Sequence, residues 1–326
     1  MIRVVIRRLL EAVPVLFVIV TLTFFLIRLA PGGPFDREKA VPEEIKKRIE
    51  AYYNLDGPLV SQYAGYLADL VRGDLGPSFK NSSYSVNEMI GTSFPVSLEL
   101  GFYALCIALA AGLTLGIIAA LRPNTLTDYV PMSLAMAGIC VPTFVLGPLL
   151  VLFFGLRLHW VPVSGWSPLF EVYFVSGSAK VELHLDTLFN TQKILPSVTL
   201  AAMYAAYVAR LARGGMLEIL ANDFIRTARA KGLSETRVVL RHALRGGIAP
   251  VVSFLGPAAA GLLSGSFVVE TIFQIPGLGR QFVESAFNRD YTMIIGTVLF
   301  YATLIIVFNM VVDLLHTWLD PRLRHA

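Results

Sequence analysis

The chain has 326 residues, of which 55% are hydrophobic and only 15% charged, and its mean hydropathy is +0.65. A water-soluble domain carries about 25% charged residues, so this composition excludes an ordinary soluble enzyme of the same length. The net charge of +4 does not point to nucleic acid, because the basic residues cluster beside apolar runs, where topology and anionic headgroups require them.

In chain order, the first apolar run is Leu9–Leu29, preceded by Arg3, Arg7 and Arg8. It is longer than a signal-peptide core and ends at Ala30-Pro31-Gly32-Gly33-Pro34, without a clear small-x-small cleavage site. It therefore reads as a retained transmembrane helix. Residues 30–95 mix both charge signs and predict short amphipathic helices near Pro42–Leu55 and Val60–Leu70. Five more runs follow: Val96–Leu121, Pro131–Leu156, Ile194–Leu211, Ile248–Phe273 and Met293–Leu315. Each can supply the ~20 apolar residues that cross a hydrocarbon core, the fourth being the shortest. Backbone groups in lipid must be satisfied internally, so the runs are predicted as helices. The prolines at 14, 142, 148 and 257 predict kinks. Cys106 and Cys140 both fall in apolar runs and read as small hydrophobes, with no disulfide or metal site implied.

Six crossings leave both termini on one side. That side receives the N-terminal arginines, Arg122, the basic loop 210–247, and Arg322 and Arg324. The loop alone holds eight basic residues against Glu218, Asp223 and Glu235, a net of +5, whereas 274–292 is balanced. By the positive-inside rule both termini are cytoplasmic.

The 210–247 loop is long enough to need a purpose. Residues 222–232 predict a helix capped by Asn222 or Asp223 and ended by Gly232, and a second helix is predicted over Ser234–Leu244. Two short helices joined at a glycine make a knob that can dock into a groove on a soluble partner. A merely solvated loop is the plain alternative.

The stretch Phe224-Ile-Arg-Thr-Ala-Arg-Ala-Lys-Gly232, followed by Leu240-Arg-His-Ala-Leu244 and Pro250, resembles the EAA loop of binding-protein-dependent ABC importer permeases. The nearest likeness is to the B-type subunit of oligopeptide and dipeptide importers. The resemblance covers nearly the whole chain. It includes Arg28-Leu-Ala-Pro-Gly32, Gly73-Asp-Leu-Gly-Pro-Ser-Phe79, Ser93-Phe-Pro-Val-Ser97, Leu158-His-Trp-Val-Pro162, Pro276-Gly-Leu-Gly279, Asn288-Arg-Asp-Tyr291 and Asp320-Pro321-Arg322. Arg226-Thr227-Ala228 stands where the wider superfamily has Glu-Ala-Ala.

What the resemblance implies is an all-α integral membrane fold of the type I importer permease (MetI-like) architecture, multi-pass in the bacterial inner membrane. Residues 1–95 would hold the first helix and a long periplasmic segment, and 96–326 a five-helix core. Asp223, Phe224, Arg226, Thr227, Ala228, Arg229, Ala230, Lys231 and Gly232 would meet the ATPase. The implied partners are a homologous C-type permease subunit, two ABC ATPase subunits that bind ATP and Mg, a periplasmic or lipid-anchored peptide-binding protein, and membrane lipid. No cofactor is expected in this chain. Tyr103, Tyr204, Tyr207, Ser253 and Ser264 are candidates to line the translocation path, though ordinary interhelical hydrogen bonding also explains them. Nickel or glutathione is the alternative cargo within the same family.

The sequence holds no Gly-x4-Gly-Lys-Ser/Thr, so ATP hydrolysis is expected from another polypeptide. An ion-coupled secondary transporter would bury ionisable residues at mid-membrane. Glu11, Glu99, Glu270 and Asp313 are expected instead near span ends. An intramembrane serine enzyme at Ser264-Gly-Ser266 lacks a histidine at comparable depth, and small residues there more often permit close helix packing. The outer loops 155–192 and 274–292 are expected to receive a loaded binding protein, and 167–192 is longer than a simple connection needs.

Overall fold

A computed structural model describes residues 2–29, 57–81, 83–175 and 178–319, with side chains from residue 6 to residue 311. The helix expected near Pro42–Leu55 and the terminal Asp320-Pro321-Arg322 lie outside these residues. Five helices are long and apolar enough to cross a membrane, Ile6–Leu29, Val86–Leu121, Thr191–Leu220, Ala249–Ile272 and Tyr291–Val311. A bent pair, Leu126–Cys140 with Thr143–Arg157, makes a sixth if its two arms count as one broken span.

The helices are α1 (Ile2–Leu29), α2 (Leu59–Val71), α3 (Val86–Leu121), α4 (Leu126–Cys140) and α5 (Thr143–Leu150), which runs into a π-helical turn over Val151–Arg157. After a β-hairpin come α6 (Ile194–Leu220) and α7 (Asp223–Ala230). Next is α8, made of Glu235–Arg237, a π-helical turn Val238–Ala243 and Leu244–Gly247. The chain ends with α9 (Ala249–Leu263), α10 (Phe267–Ile272), α11 (Leu278–Asn288) and α12 (Tyr291–Leu319).

Three expectations need correction. The second span starts at Val86, not Val96, because the helix continues past the apolar run through Pro95. Residues 95 and 96 therefore lie inside α3. The third span is not one helix: Val141 takes an extended conformation, as a residue before proline prefers, and the two arms diverge by 111°. The fifth is interrupted where Ser264 ends α9, Gly265 adopts φ +86°, and Ser266 caps α10 by accepting from the Val269 N–H. The Ser264-Gly-Ser266 stretch is thus a helix break as well as a close contact, since a Cβ on Gly265 would meet Ser97 of α3.

The segment 167–192 contains the antiparallel hairpin β1 (Phe170–Val175) and β2 (Ser178–Leu183), paired from Phe170↔Leu183 to Val175↔Ser178. The register sets Glu171 opposite Glu182, and the Tyr173 hydroxyl donates to Glu182 at 2.5 Å. That acceptor holds the phenol above the usual tyrosine pKa.

The chain forms two compact units. The first comprises Met1–Val96, the hairpin and Pro276–Ile306. In it α2 lies on the outer end of α1 through Phe24, whose ring sits 5.1 Å from Tyr63 and carries the Arg28 guanidinium 3.5 Å above it. Burial there pushes the Tyr66 hydroxyl up to about 12. A separate core joins Val86, Met89 and Ile90 of α3 to Leu278 of α11 and Met293 of α12. Two motifs meet in this unit: Asp290 accepts from Ser78 Oγ at 2.5 Å and from the backbone N–H of Phe79 and Lys80, while also capping α12 through Met293 N–H.

The second unit comprises Ser97–Leu169, His184–Ile275 and Val307 onward. Its centre is α6, which explains why that span is the least apolar. Its Ala201, Ala206, Ala209 and Ala212 are buried by neighbouring helices instead of by lipid. Small residues bring backbones close where no hydrophobic force drives association. A Cβ on Gly116 of α3 would collide with the Ala209 carbonyl of α6, and one on Gly138 of α4 with the Ala202 carbonyl. Gly116→Val therefore pushes α3 off α6 at a cost of about 1–3 kcal/mol. A melting curve of the purified variant in detergent checks this, and an unchanged midpoint contradicts the packing.

Candidate functional site

The cytoplasmic loop forms the knob its spacing predicts. Asn222 is the N-cap of α7 by backbone conformation, but its side chain does not cap; Nδ2 donates instead to the Glu218 carbonyl at 3.0 Å. Neither Asn222 nor Asp223 supplies the expected side-chain cap. At the other end Gly232 takes φ +79°, the Gly232 N–H donates to Arg229 O at 2.9 Å and the Leu233 N–H to Ala228 O at 3.4 Å. This is the paired Schellman closure, in which a residue with no Cβ accepts the left-handed conformation.

The knob is seated, not dangling. Ile225 and Ala228, three residues apart on α7, are buried with Val238, Val239 and Ala243 of α8, Ala120 at the end of α3 and Met216 of α6. Leu233 packs on the same core. Where α8 passes α6, a Cβ on Gly215 would collide with the Gly247 carbonyl, so the two backbones nearly touch. Arg229 bridges the Gly232 turn, its Nε 2.7 Å from Glu235 Oε1 and its Nη2 3.3 Å from Oε2. Being exposed, that bridge aligns the turn more than it stabilises it.

Asp223, Phe224, Arg226, Thr227, Arg229, Ala230, Lys231 and Gly232 are all exposed, and Phe224 is 49% exposed although aromatic. Only Ala228 of the expected contact set faces inward. Close by in the same unit, Arg213 of α6 forks onto Asp128 of α4 at 2.6 Å for both bonds, and Asn124 N–H donates to the same carboxylate. Sequence reading missed this clamp. An acid in the first turn after a basic loop, beside an arginine near the end of the next span, was the available signal.

The translocation-path candidates divide. Tyr204 and Tyr207 of α6 face α9, the first with its hydroxyl at Gly261 and the second with its ring 5.8 Å from Phe254. Ser264 Oγ donates to Gly261 O, so it adjoins the same contact, and Ser253 is exposed on α9. Tyr103 stands apart, donating to Leu188 O at 2.7 Å.

Tyr103 instead borders a buried charge cluster that was not foreseen. Glu99 and Lys193, 7% and 4% exposed, meet at 2.5 Å. Glu99 also accepts from Trp166 Nε1 at 3.2 Å and Leu169 N–H at 3.0 Å. The ammonium lies 5.3 Å from the Tyr103 ring and 5.6 Å from that of Trp166. Glu270 is fully buried and accepts from Ser97 Oγ at 2.9 Å. Glu99 lies 13 residues into the 36-residue α3, where it reaches the 166–169 loop and Lys193, and Glu270 lies on α10 behind the helix break, two residues from the end of its span. Both carboxylates have partners, so they do not revive a free ion relay.

The sequence profile described as "Binding-protein-dependent transport system inner membrane component" matches residues 112–325, and its N-terminal companion matches residues 1–101. The chain is 45% identical over 325 residues to the oligopeptide transport system permease protein OppB of Escherichia coli (strain K12), covering all of both chains. It is 44% identical to the dipeptide transport system permease protein DppB of Bacillus subtilis (strain 168), covering 99% of this chain and 98% of that one. Among solved structures it resembles a chain of an amino acid ABC transporter crystallised with histidines, with a TM-score of 0.50 and 19% identity. That match covers 70% of this chain and 92% of the other, a likeness of fold alone.

Proposed function

The chain belongs to the family of binding-protein-dependent transport system inner-membrane components, and from that we propose that it forms half of the translocation pathway of an ATP-driven importer for oligopeptides or dipeptides. The observation that carries the coupling role is the shared core of Ile225 and Ala228 with Ala120, Met216 and Val238. Force applied to the exposed face of α7 reaches the ends of α3 and α6 through that core, and through α8 the start of α9.

On this reading Phe224, Arg226, Thr227, Arg229, Ala230 and Lys231 meet a groove on an ABC ATPase, with Phe224 as the aromatic anchor. Ala228 acts from behind by seating the helix. Hydrolysis belongs to two ATPase subunits, consistent with the lack of a P-loop motif in this sequence. A C-type permease completes the path, and a periplasmic or lipid-anchored binding protein delivers cargo to the outer loops. ATP-driven closure moves α7 and shifts the population between outward- and inward-open states. The two profile matches support a division into an N-terminal segment, 1–95, and a core, 96–326. Tyr204, Tyr207, Ser253 and Ser264, grouped along α6 and α9, are proposed to face the path.

The test is uptake in cells stripped of their own peptide permeases and supplied with this chain and the products of its neighbouring reading frames. Labelled dipeptide or tripeptide enters, and entry stops when the ATPase frames are left out. Entry of nickel or glutathione without peptide moves the cargo to that alternative, and ATPase-independent uptake ends the importer reading.

A further inference from the structure

The two helices of the knob treat their charges differently. On α7 the arginines are neutralised locally, Arg226 by Asp223 at 3.3 Å and Arg229 by Glu235 at 2.7 Å. On α8, Arg237, Arg241 and Arg245 are exposed, and among the described residues none of them has a carboxylate partner.

They stand four residues apart. The π-helical turn over Val238–Ala243 advances less per residue than an α-helix, which keeps such a row from drifting around the axis. The opposite face, Val238, Val239 and Ala243, is buried against the knob core. On the outward face beside the arginines sits Leu240, 61% exposed. α8 leads directly into α9, whose first residue, Ala249, follows Arg245 by four positions. This helix therefore lies at the cytoplasmic mouth of a membrane span, with a cationic row, an apolar side chain between the cations and a single acid, Glu235, already engaged by Arg229 of α7. Those are the features of a helix resting in the headgroup layer.

We propose that α8 is a binding site for anionic phospholipid of the inner leaflet, Arg237, Arg241 and Arg245 holding the phosphodiester headgroups while Leu240 enters the acyl boundary. Arginine suits this role because its planar fork matches phosphate geometry and stays charged. The proposal rests on the cytoplasmic placement of the loop and not on the docking of α7.

Fluorescent phosphatidylglycerol titrated into the purified full chain in neutral detergent should bind saturably and weaken with salt. Arg237→Gln, Arg241→Gln and Arg245→Gln together should weaken binding more than tenfold, given roughly fivefold per arginine, or about 1 kcal/mol each near an anionic surface. The corresponding triple lysine variant should retain most of it. Unchanged affinity in the glutamine variant, or equal binding of phosphatidylcholine, overturns the proposal.

A second measurement places an environment-sensitive dye on Leu240→Cys after Cys106 and Cys140 are replaced by serine. The dye should report an apolar setting in nanodiscs containing phosphatidylglycerol, with no ATPase present. If it stays in water there and becomes covered only when the ATPase subunits are added, α8 is a protein contact and the lipid site falls. A failure of α7 to cross-link to the ATPase would leave both results untouched.

Discussion

Lys193→Ala lowers the unfolding free energy by about 3–5 kcal/mol, because it strands the Glu99 carboxylate in a buried site without its counter-ion. The remaining donors, Trp166 Nε1 and Leu169 N–H, orient that carboxylate but carry no charge to offset it. The reciprocal change, Glu99→Gln, leaves the ammonium over the Tyr103 and Trp166 rings, which attract a cation weakly compared with a carboxylate at 2.5 Å. Removing both charges as Lys193→Ala with Glu99→Gln should recover part of the loss, since the penalty comes from the unpaired charge more than from the missing bond. Denaturant titration of the four proteins in mixed micelles forms the cycle. A Lys193→Ala variant within about 1 kcal/mol of the parent would mean that the pair is solvated in the protein, contrary to its burial.

Gly232→Val should cut uptake by roughly 5–30-fold while leaving membrane insertion and abundance intact. A branched side chain in the left-handed region costs about 1–2 kcal/mol, which is spent on a turn outside the membrane. Relief comes by unwinding the Schellman closure, so Leu233 leaves its place on the core and the angle between α7 and α8 is lost. Reversing charge with Arg229→Glu adds repulsion against Glu235 on the same turn. The telling readout is ATP hydrolysis by the assembled importer: in the double variant it continues without accelerating when loaded binding protein is added. Normal transport in that variant would separate the turn from the coupling and remove the mechanical role proposed for α7.

Hydropathy and loop composition were enough to read roughly where the spans and the knob lie, because each is a local property of consecutive residues. Segments whose form depends on a distant partner were not legible. The outer extension of α3 from Val86 looks too polar to be span, yet it is helical because Val86, Met89 and Ile90 are covered by Leu278 and Met293. The clamp of Asp128 on Arg213 and that of Glu99 on Lys193 join residues 85 and 94 positions apart, a pairing no periodicity encodes. The hairpin is a different case: Val172-Tyr-Phe-Val175 before Ser176-Gly177 is a strand-and-turn signal. A membrane reading set on helices passed over it. The Ser264-Gly-Ser266 break was also visible as composition, but small residues serve close packing as readily as a turn, and this stretch does both: Gly265 takes a positive φ and lies against Ser97.

The meeting of Ser78 with Asp290 has a consequence for biogenesis. The acceptor for Ser78, Phe79 and Lys80 lies 212 residues downstream of Ser78. At bacterial translation rates it leaves the ribosome roughly 10–40 s after the donors do. Throughout that interval the nascent segment waits across the membrane from the ribosome, its amides bonded to water or to a chaperone. Truncations that stop short of Asp290 should therefore be cleared by periplasmic proteases at this segment, even when their earlier spans have inserted correctly.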